Sequence, residues 1–197
     1  LPIHEKTNKR WRSYSIASAP DGSNIIELVI VLLEGGLGTT YLFNEIKVGS
    51  NITLRGPVGV FTLPETLDKD LYLICTGTGV APFRSMVNWI HQQKIAHKNI
   101  HLIFGCRKMH DCLYGHELKA LENQEKNFFY HPVFSREDTV PDGAHKGYVH
   151  AVYEQLLAAK NPSQFYLCGW KNMIDEAKQR IMAAGYDKKD IHLEIYG

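Results

Sequence analysis

From Leu71 onward, short apolar runs alternate with helical patterns, and few folds satisfy that alternation. Leu71-Tyr72-Leu73-Ile74-Cys75 reads as a buried strand. After it, Pro82 opens a helix, and Met86, Trp89 and Ile90 give that helix an apolar stripe at spacings of three and four. Residues 100–104, 128–134, 164–168 and 191–196 repeat the strand pattern. Residues 116–124, 150–160 and 172–184 read as helices between them, and Gly185 stands where a helix cap belongs. This alternation predicts a parallel sheet with helices on both faces.

The texture before residue 65 is different. Strand-like runs at 11–16, 25–33, 52–55 and 60–63 are bounded by Asp21-Gly22, Gly35-Gly36 and Gly56-Pro57. Such punctuation predicts strands joined by turns. The polar, turn-prone stretch 64–70 links the two parts, so the chain divides into 1–66 and 67–197. A length of 197 residues suits two small domains or one large one, with enough core to need no disulfide or metal.

Composition removes other classes. The net charge is +1, without the global basic excess of a nucleic-acid binder. No apolar stretch approaches the ~20 residues that span a bilayer. The first residues lack the layout of a secretory signal. Without such a signal, Cys75, Cys106, Cys112 and Cys168 read as reduced thiols of a cytoplasmic protein. Cys106, His110, Cys112 and His116 are the residue types that bind zinc, but not at a usual spacing, and they read as a loop. The other histidines are scattered along the chain, and no metal is expected.

The turn Gly77-Thr78-Gly79-Val80-Ala81-Pro82 lies directly between a predicted strand and a helix. Glycines let backbone approach a phosphate, and the helix N-terminus offers free N–H groups and a positive dipole end. Pro82 replaces the last glycine of the usual dinucleotide fingerprint. The second strand ends in Gly105-Cys106-Arg107-Lys108, without the acid that binds a ribose 2′-hydroxyl; basic residues suit a 2′-phosphate. Taken alone, the turn also suits an ordinary strand-to-helix connection.

Six motifs in order carry a resemblance: Arg12-Ser13-Tyr14-Ser15, Gly36-Leu37-Gly38-Thr39, Gly56-Pro57-Val58-Gly59, Gly77 to Arg84, Tyr166-Leu167-Cys168-Gly169 and Glu194-Ile195-Tyr196. Together they resemble the ferredoxin–NADP reductase superfamily. The resemblance implies an antiparallel FAD-binding β-barrel in 1–66, followed by a Rossmann-like NADP-binding α/β domain in 67–197.

It also implies roles. Arg12 resembles the arginine that pairs with the flavin diphosphate, Tyr14 the ring stacked on the flavin, and Ser15 the hydroxyl near the flavin atom that takes hydride. Gly36, Leu37, Gly38 and Thr39 match a second flavin-phosphate motif, with Gly38 replacing a commoner Cys. Ser135 and Arg136 match the pair that contacts the 2′-phosphate of NADPH; Lys146 and Tyr148 match the positions that complete that pocket. Cys168, with Gly169, resembles the cysteine beside the nicotinamide. Glu194 resembles the near-terminal glutamate that helps position the nicotinamide and relay protons. Tyr196 resembles the ring covering the flavin; in plant-type members that ring is terminal, whereas here Gly197 follows.

The expected protein moves hydride between NADPH and FAD, and single electrons to or from a carrier such as ferredoxin or flavodoxin. Alternatives are the reductase component of an oxygenase, a free-flavin reductase, and a redox-inactive module that kept the fold. In the family the Arg-x-Tyr-Ser strand follows earlier barrel strands, so a truncated reductase with those first strands missing is expected.

Overall fold

A computed structural model describes residues 1–6 and 10–196. Its first regular element is helix α1, Leu37–Asn44. Strands β1 (Asp70–Thr76), β2 (Ile100–Cys106), β3 (Phe128–Phe134), β4 (His145–Lys146), β5 (Ser163–Trp170) and β6 (Ile191–Tyr196) form one parallel sheet. Its order is β4-β3-β2-β1-β5-β6. Helices α2 (Val80–Gln93), α3 (Gly115–Gln124), α4 (Val149–Leu156) and α5 (Lys171–Ala183) connect the strands.

Alternate strand residues serve opposite faces of a sheet. Leu71, Leu73, Cys75, Leu102 and Phe104 face Phe83, Met86 and Leu118 of α2 and α3. Tyr72, Ile74, Ile103 and Leu167 face Val152, Tyr153, Ile174 and Ile181 of α4 and α5. Each fully buried Leu, Ile or Phe contributes about 1.5–3 kcal/mol, so both cores hold the sheet together. Buried Asp70 ties the amino edge: its carboxylate accepts from the Asn99 N–H at 3.2 Å and the Asn161 amide at 2.8 Å.

The expected parallel sheet with helices on both faces is present. Helix α2 starts at Val80, so Pro82 sits at its third position, where no N–H donor is yet needed. Gly185 follows α5 in a left-handed conformation, and the Tyr186 N–H closes back onto the Ile181 carbonyl at 3.3 Å. No helix of the described residues is long and apolar enough to cross a membrane.

Residues 1–66 differ from the expected run of strands. The described residues hold α1 and one antiparallel bridge, Ile16 to Leu28, and no barrel. Ile25, Val31, Leu54, Val58 and Val60 are exposed. Alternating sequence gives a ribbon one apolar edge, but a stable sheet requires several paired strands, and these segments lack those pairings. Phe61, Leu63 and Leu67 nevertheless pack on the core beneath α2. The Phe61 ring lies 5.3 Å from Tyr166 and 5.9 Å from Phe83.

Histidines scattered in sequence also meet. Phe165, Tyr72 and His101 stack across β5, β1 and β2 with centroids 5.2 and 4.9 Å apart. His131 continues the row 5.5 Å from His101, and His145 follows at 5.6 Å. The described residues contain no group of three or more His, Cys, Asp or Glu able to hold a metal. Burial, with His101 and His145 nearby, pushes His131 down to about 4 from an ordinary 6.5. Between those values the unfolded chain binds the extra proton, so stability rises with pH there. Acidification from pH 6.5 to 4 is expected to cost about 2 kcal/mol through this residue, after allowance for partial exposure. Urea midpoints at both pH values should show the loss, and His131→Phe should flatten it.

Candidate active site

Strand β1 is the point where the sheet order reverses: β2 lies on one side and β5 on the other. Ligands of open α/β sheets bind in the crevice beyond the strand ends at such a point. Two glycines shape it here. A Cβ on Gly79 would stand 2.4 Å from the Cys168 carbonyl oxygen. A Cβ on Gly169, whose φ is +138°, would stand 2.3 Å from Thr76 Oγ1. The turn after β1 therefore touches the end of β5 backbone to backbone, and only glycine fits.

Four predicted residues converge beside this crevice. Ser15 Oγ donates to Glu194 Oε2 at 2.8 Å. The Cys168 thiol faces the same oxygen, with Sγ 4.0 Å away. The sheet register pairs Cys168 with Glu194 and Trp170 with Tyr196. The Tyr196 hydroxyl is buried beside Cys168 and Glu194, and makes no hydrogen bond among the described residues. Burial, then the Glu194 carboxylate, pushes the Cys168 thiol up. Burial and the neighbouring Cys168 likewise push Tyr196 up. Both are neutral near pH 7.

Arg12 and Gly36-Leu37-Gly38-Thr39 also meet. The N-terminus of α1 has no side-chain cap, and the Arg12 side chain lies across it. A Cβ on buried Gly38 would stand 3.0 Å from Arg12 Cγ. A guanidinium above a helix N-terminus suits an anion such as a diphosphate. Thr39 Oγ1 is occupied locally, by Leu33 and the Gly36 carbonyl. Tyr14 is half-buried, and that burial raises its phenol.

The second basic group lies at the ends of β2, β3 and β4. The Ser135 N–H donates to the Cys106 carbonyl at 3.1 Å, and the Arg136 N–H to the Arg107 carbonyl at 2.9 Å. Exposed Arg136 thus stands on a fixed backbone beside exposed Arg107. Lys146 donates to the Asp138 carbonyl at 3.1 Å, and Tyr148 is exposed just before α4. The family's Ser-Arg signature marked Arg136, and the basic end of β2 marked Arg107. Thr76, which directly precedes the glycine turn but carries no predicted role of its own, accepts from the Trp170 N–H through Oγ1 at 3.3 Å. Gly197 lies outside the described residues.

The four cysteines differ in environment. Contact with the Cys106 thiol lowers Cys112, whose Sγ also lies 3.2 Å from the Tyr130 hydroxyl. Cys75 is buried and pushed up, as is Cys168. Alkylation near pH 7.5 should therefore label the partly exposed Cys106–Cys112 pair first and buried Cys168 at least about tenfold more slowly. Mass spectrometry of timed samples checks the order; early labelling of Cys168 contradicts it.

Comparison with known proteins fits this arrangement. Residues 1–63 match the family model of the oxidoreductase FAD-binding domain, and residues 73–179 that of the oxidoreductase NAD-binding domain. Ferredoxin–NADP reductase B of Sorangium cellulosum is 33% identical over 192 residues, covering 94% of this chain and 78% of its own. The chain belongs to the ferredoxin–NADP reductase family. The anthranilate 1,2-dioxygenase electron transfer component of Acinetobacter baylyi is 32% identical over 168 residues, covering 85% of this chain. The chain spans about half the length of that relative, 48%. A crystal structure of a ferredoxin NADP+ reductase from Neisseria gonorrhoeae, with bound FAD and NADP, shares the fold. Its TM-score is 0.75 at 23% identity, over 94% of this chain and 79% of that one.

The residues fit the two nucleotides of this family. The arginine over α1 suits a diphosphate, and the orphaned Tyr196 hydroxyl, with the Ser15–Glu194 pair, offers polar partners at the crevice.

Proposed function

We propose that this protein is a flavin-dependent oxidoreductase, moving hydride between NADPH and FAD and single electrons to or from a carrier such as ferredoxin or flavodoxin. The observation that carries this is the meeting of Ser15, Cys168 and Glu194 at the sheet's switch point. Bound flavin supplies the conversion between two-electron and one-electron chemistry. The chain supplies binding, orientation and proton handling.

In this reading 1–66 belongs to the flavin and 67–197 to NADPH. Arg12 and the start of α1 hold the flavin diphosphate, and Tyr14 lies along the ring system. The Gly77–Gly79 turn and α2 receive the nicotinamide nucleotide's diphosphate. Ser135, Arg136 and Lys146 bind its 2′-phosphate, and Tyr148 lies against the adenine. Ser15, Cys168 and Glu194 align the reacting rings; Glu194 Oε2 holds or accepts a proton passed through the Ser15 hydroxyl. Tyr196 would cover the flavin face and would have to shift for the nicotinamide to reach it.

The test is direct. The purified protein should be yellow, absorb in the flavin region and bleach with NADPH under anaerobic conditions. A colourless protein that binds no added FAD overturns the reading. A second reading, the reductase component of an oxygenase, draws support from the dioxygenase relative. Steady-state assays with ferredoxin, flavodoxin and free flavin separate the acceptors.

A further inference from the structure

Arg84 ends the motif that begins at Gly77, yet neither phosphate binding nor the transfer cluster uses it. Its side chain is 15% exposed and works in three directions. Nε donates to both Glu117 oxygens on α3, at 2.8 and 3.0 Å. Nη1 donates to the Ala17 carbonyl at 3.0 Å and to Glu27 Oε2 at 3.1 Å. The guanidinium carbon lies 4.2 Å from the Tyr114 ring centroid, and the Tyr114 hydroxyl donates to the other Glu27 oxygen. Next to it, Ser85 Oγ donates to the Ser18 carbonyl at 2.8 Å. The Ala17 N–H donates to the Glu27 carbonyl at 2.8 Å. Residues 17 and 27 are thus fixed to α2 through Arg84, which Glu117 ties to α3, and residue 18 is fixed through Ser85.

Ala17 lies two residues beyond Ser15, whose hydroxyl meets Glu194 on β6. We propose that Arg84 is a positioning residue: by holding Ala17 and Glu27 on α2, it sets where the Ser15 hydroxyl stands against Glu194 and Cys168, and so the rate of hydride transfer. The inference rests on the flavin-reductase reading above. An arginine is needed because one planar guanidinium serves Glu117 through Nε, the Ala17 carbonyl and Glu27 through Nη1, and a ring face together. Lysine keeps the charge but brings a single point of contact.

The test compares wild type with Arg84→Lys and Glu27→Gln, the second at a half-exposed site that tolerates the change. Single-turnover flavin reduction should slow about tenfold in Arg84→Lys and about threefold in Glu27→Gln, since small displacements from attack geometry are costly. NADPH Kd and flavin content should stay within about twofold, separating positioning from binding. In flavin-free protein, hydrogen–deuterium exchange across 15–18 should rise in both variants while β2 and β3 keep their protection.

Faster exchange with an unchanged transfer rate overturns the inference and leaves Arg84 a structural tie. Slower transfer with unchanged exchange overturns it too. If Arg84→Lys fails to fold, the result for Glu27→Gln decides. A wild-type protein that neither binds flavin nor is reduced by NADPH overturns the underlying reading, and this inference with it.

Discussion

Replacing Glu194 by Ala is expected to slow flavin reduction by NADPH about 100-fold while flavin stays bound. The Ser15 hydroxyl and the Cys168 thiol both face Glu194 Oε2. Removing the carboxylate leaves both without their shared acceptor. A hydrogen bond to a charged group is worth about 1.5–3 kcal/mol, and each 1.36 kcal/mol off the barrier is tenfold in rate. Losing one such bond, and the alignment it imposes, therefore accounts for about two orders of magnitude. Glu194→Gln keeps the shape and an acceptor oxygen, so its loss should be smaller. It cannot take a proton, however, so a rate near wild type in Glu194→Gln would leave the carboxylate an alignment role alone. Stopped-flow reduction across pH, with flavin content measured for each variant, tests this. A Glu194→Ala rate within about threefold of wild type would remove the carboxylate from the transfer site.

The parts of this site differ in how plainly the sequence shows them. Strands of a parallel sheet are covered on both faces, so their sequences read as unbroken apolar runs. Leu71 to Cys75 is such a run, and β3 and β6 fall where their patterns predict. Helix α1 escaped notice because Gly36-Leu37-Gly38-Thr39 carries turn residues and its partly exposed helix has little apolar stripe. Two-residue β4 is too short to leave any period.

Contacts made at long range left less trace. His101, His131 and His145 are far apart in sequence and adjacent only because β2, β3 and β4 are neighbours. Arg84 and Glu27 are 57 residues apart, and nothing local marks Glu27 as its partner. The strands expected before residue 65 show a converse limit. Alternation predicted extended segments before residue 65, but pairing is a property of neighbours, and the described residues form a single bridge there. Ser15 is nevertheless placed, because its position depends on Glu194 and on the Arg84 contacts two residues away.

The NADPH preference proposed above rests on Arg136. Arg136→Ala is expected to raise the KM for NADPH about 30- to 100-fold and that for NADH by less than about twofold. The Arg136 backbone is anchored to the Arg107 carbonyl, and that of Ser135 to the Cys106 carbonyl. The backbone under the exposed guanidinium is therefore fixed, and the ordering cost of meeting a 2′-phosphate would fall on the side chain alone. The pairing is charge-assisted and lies at the surface, so salt should weaken NADPH binding in wild type and affect the variant less. Arg107 lies beside it, with the Asp111 and Glu137 carboxylates bound to the neighbouring Lys108 and Met109 N–H groups, and an Arg107→Ala change should add to the loss. Parallel KM measurements with both coenzymes at two ionic strengths decide the matter. Equal effects on NADPH and NADH would place the arginine outside the phosphate pocket and return the selectivity to the glycine turn shared by both coenzymes.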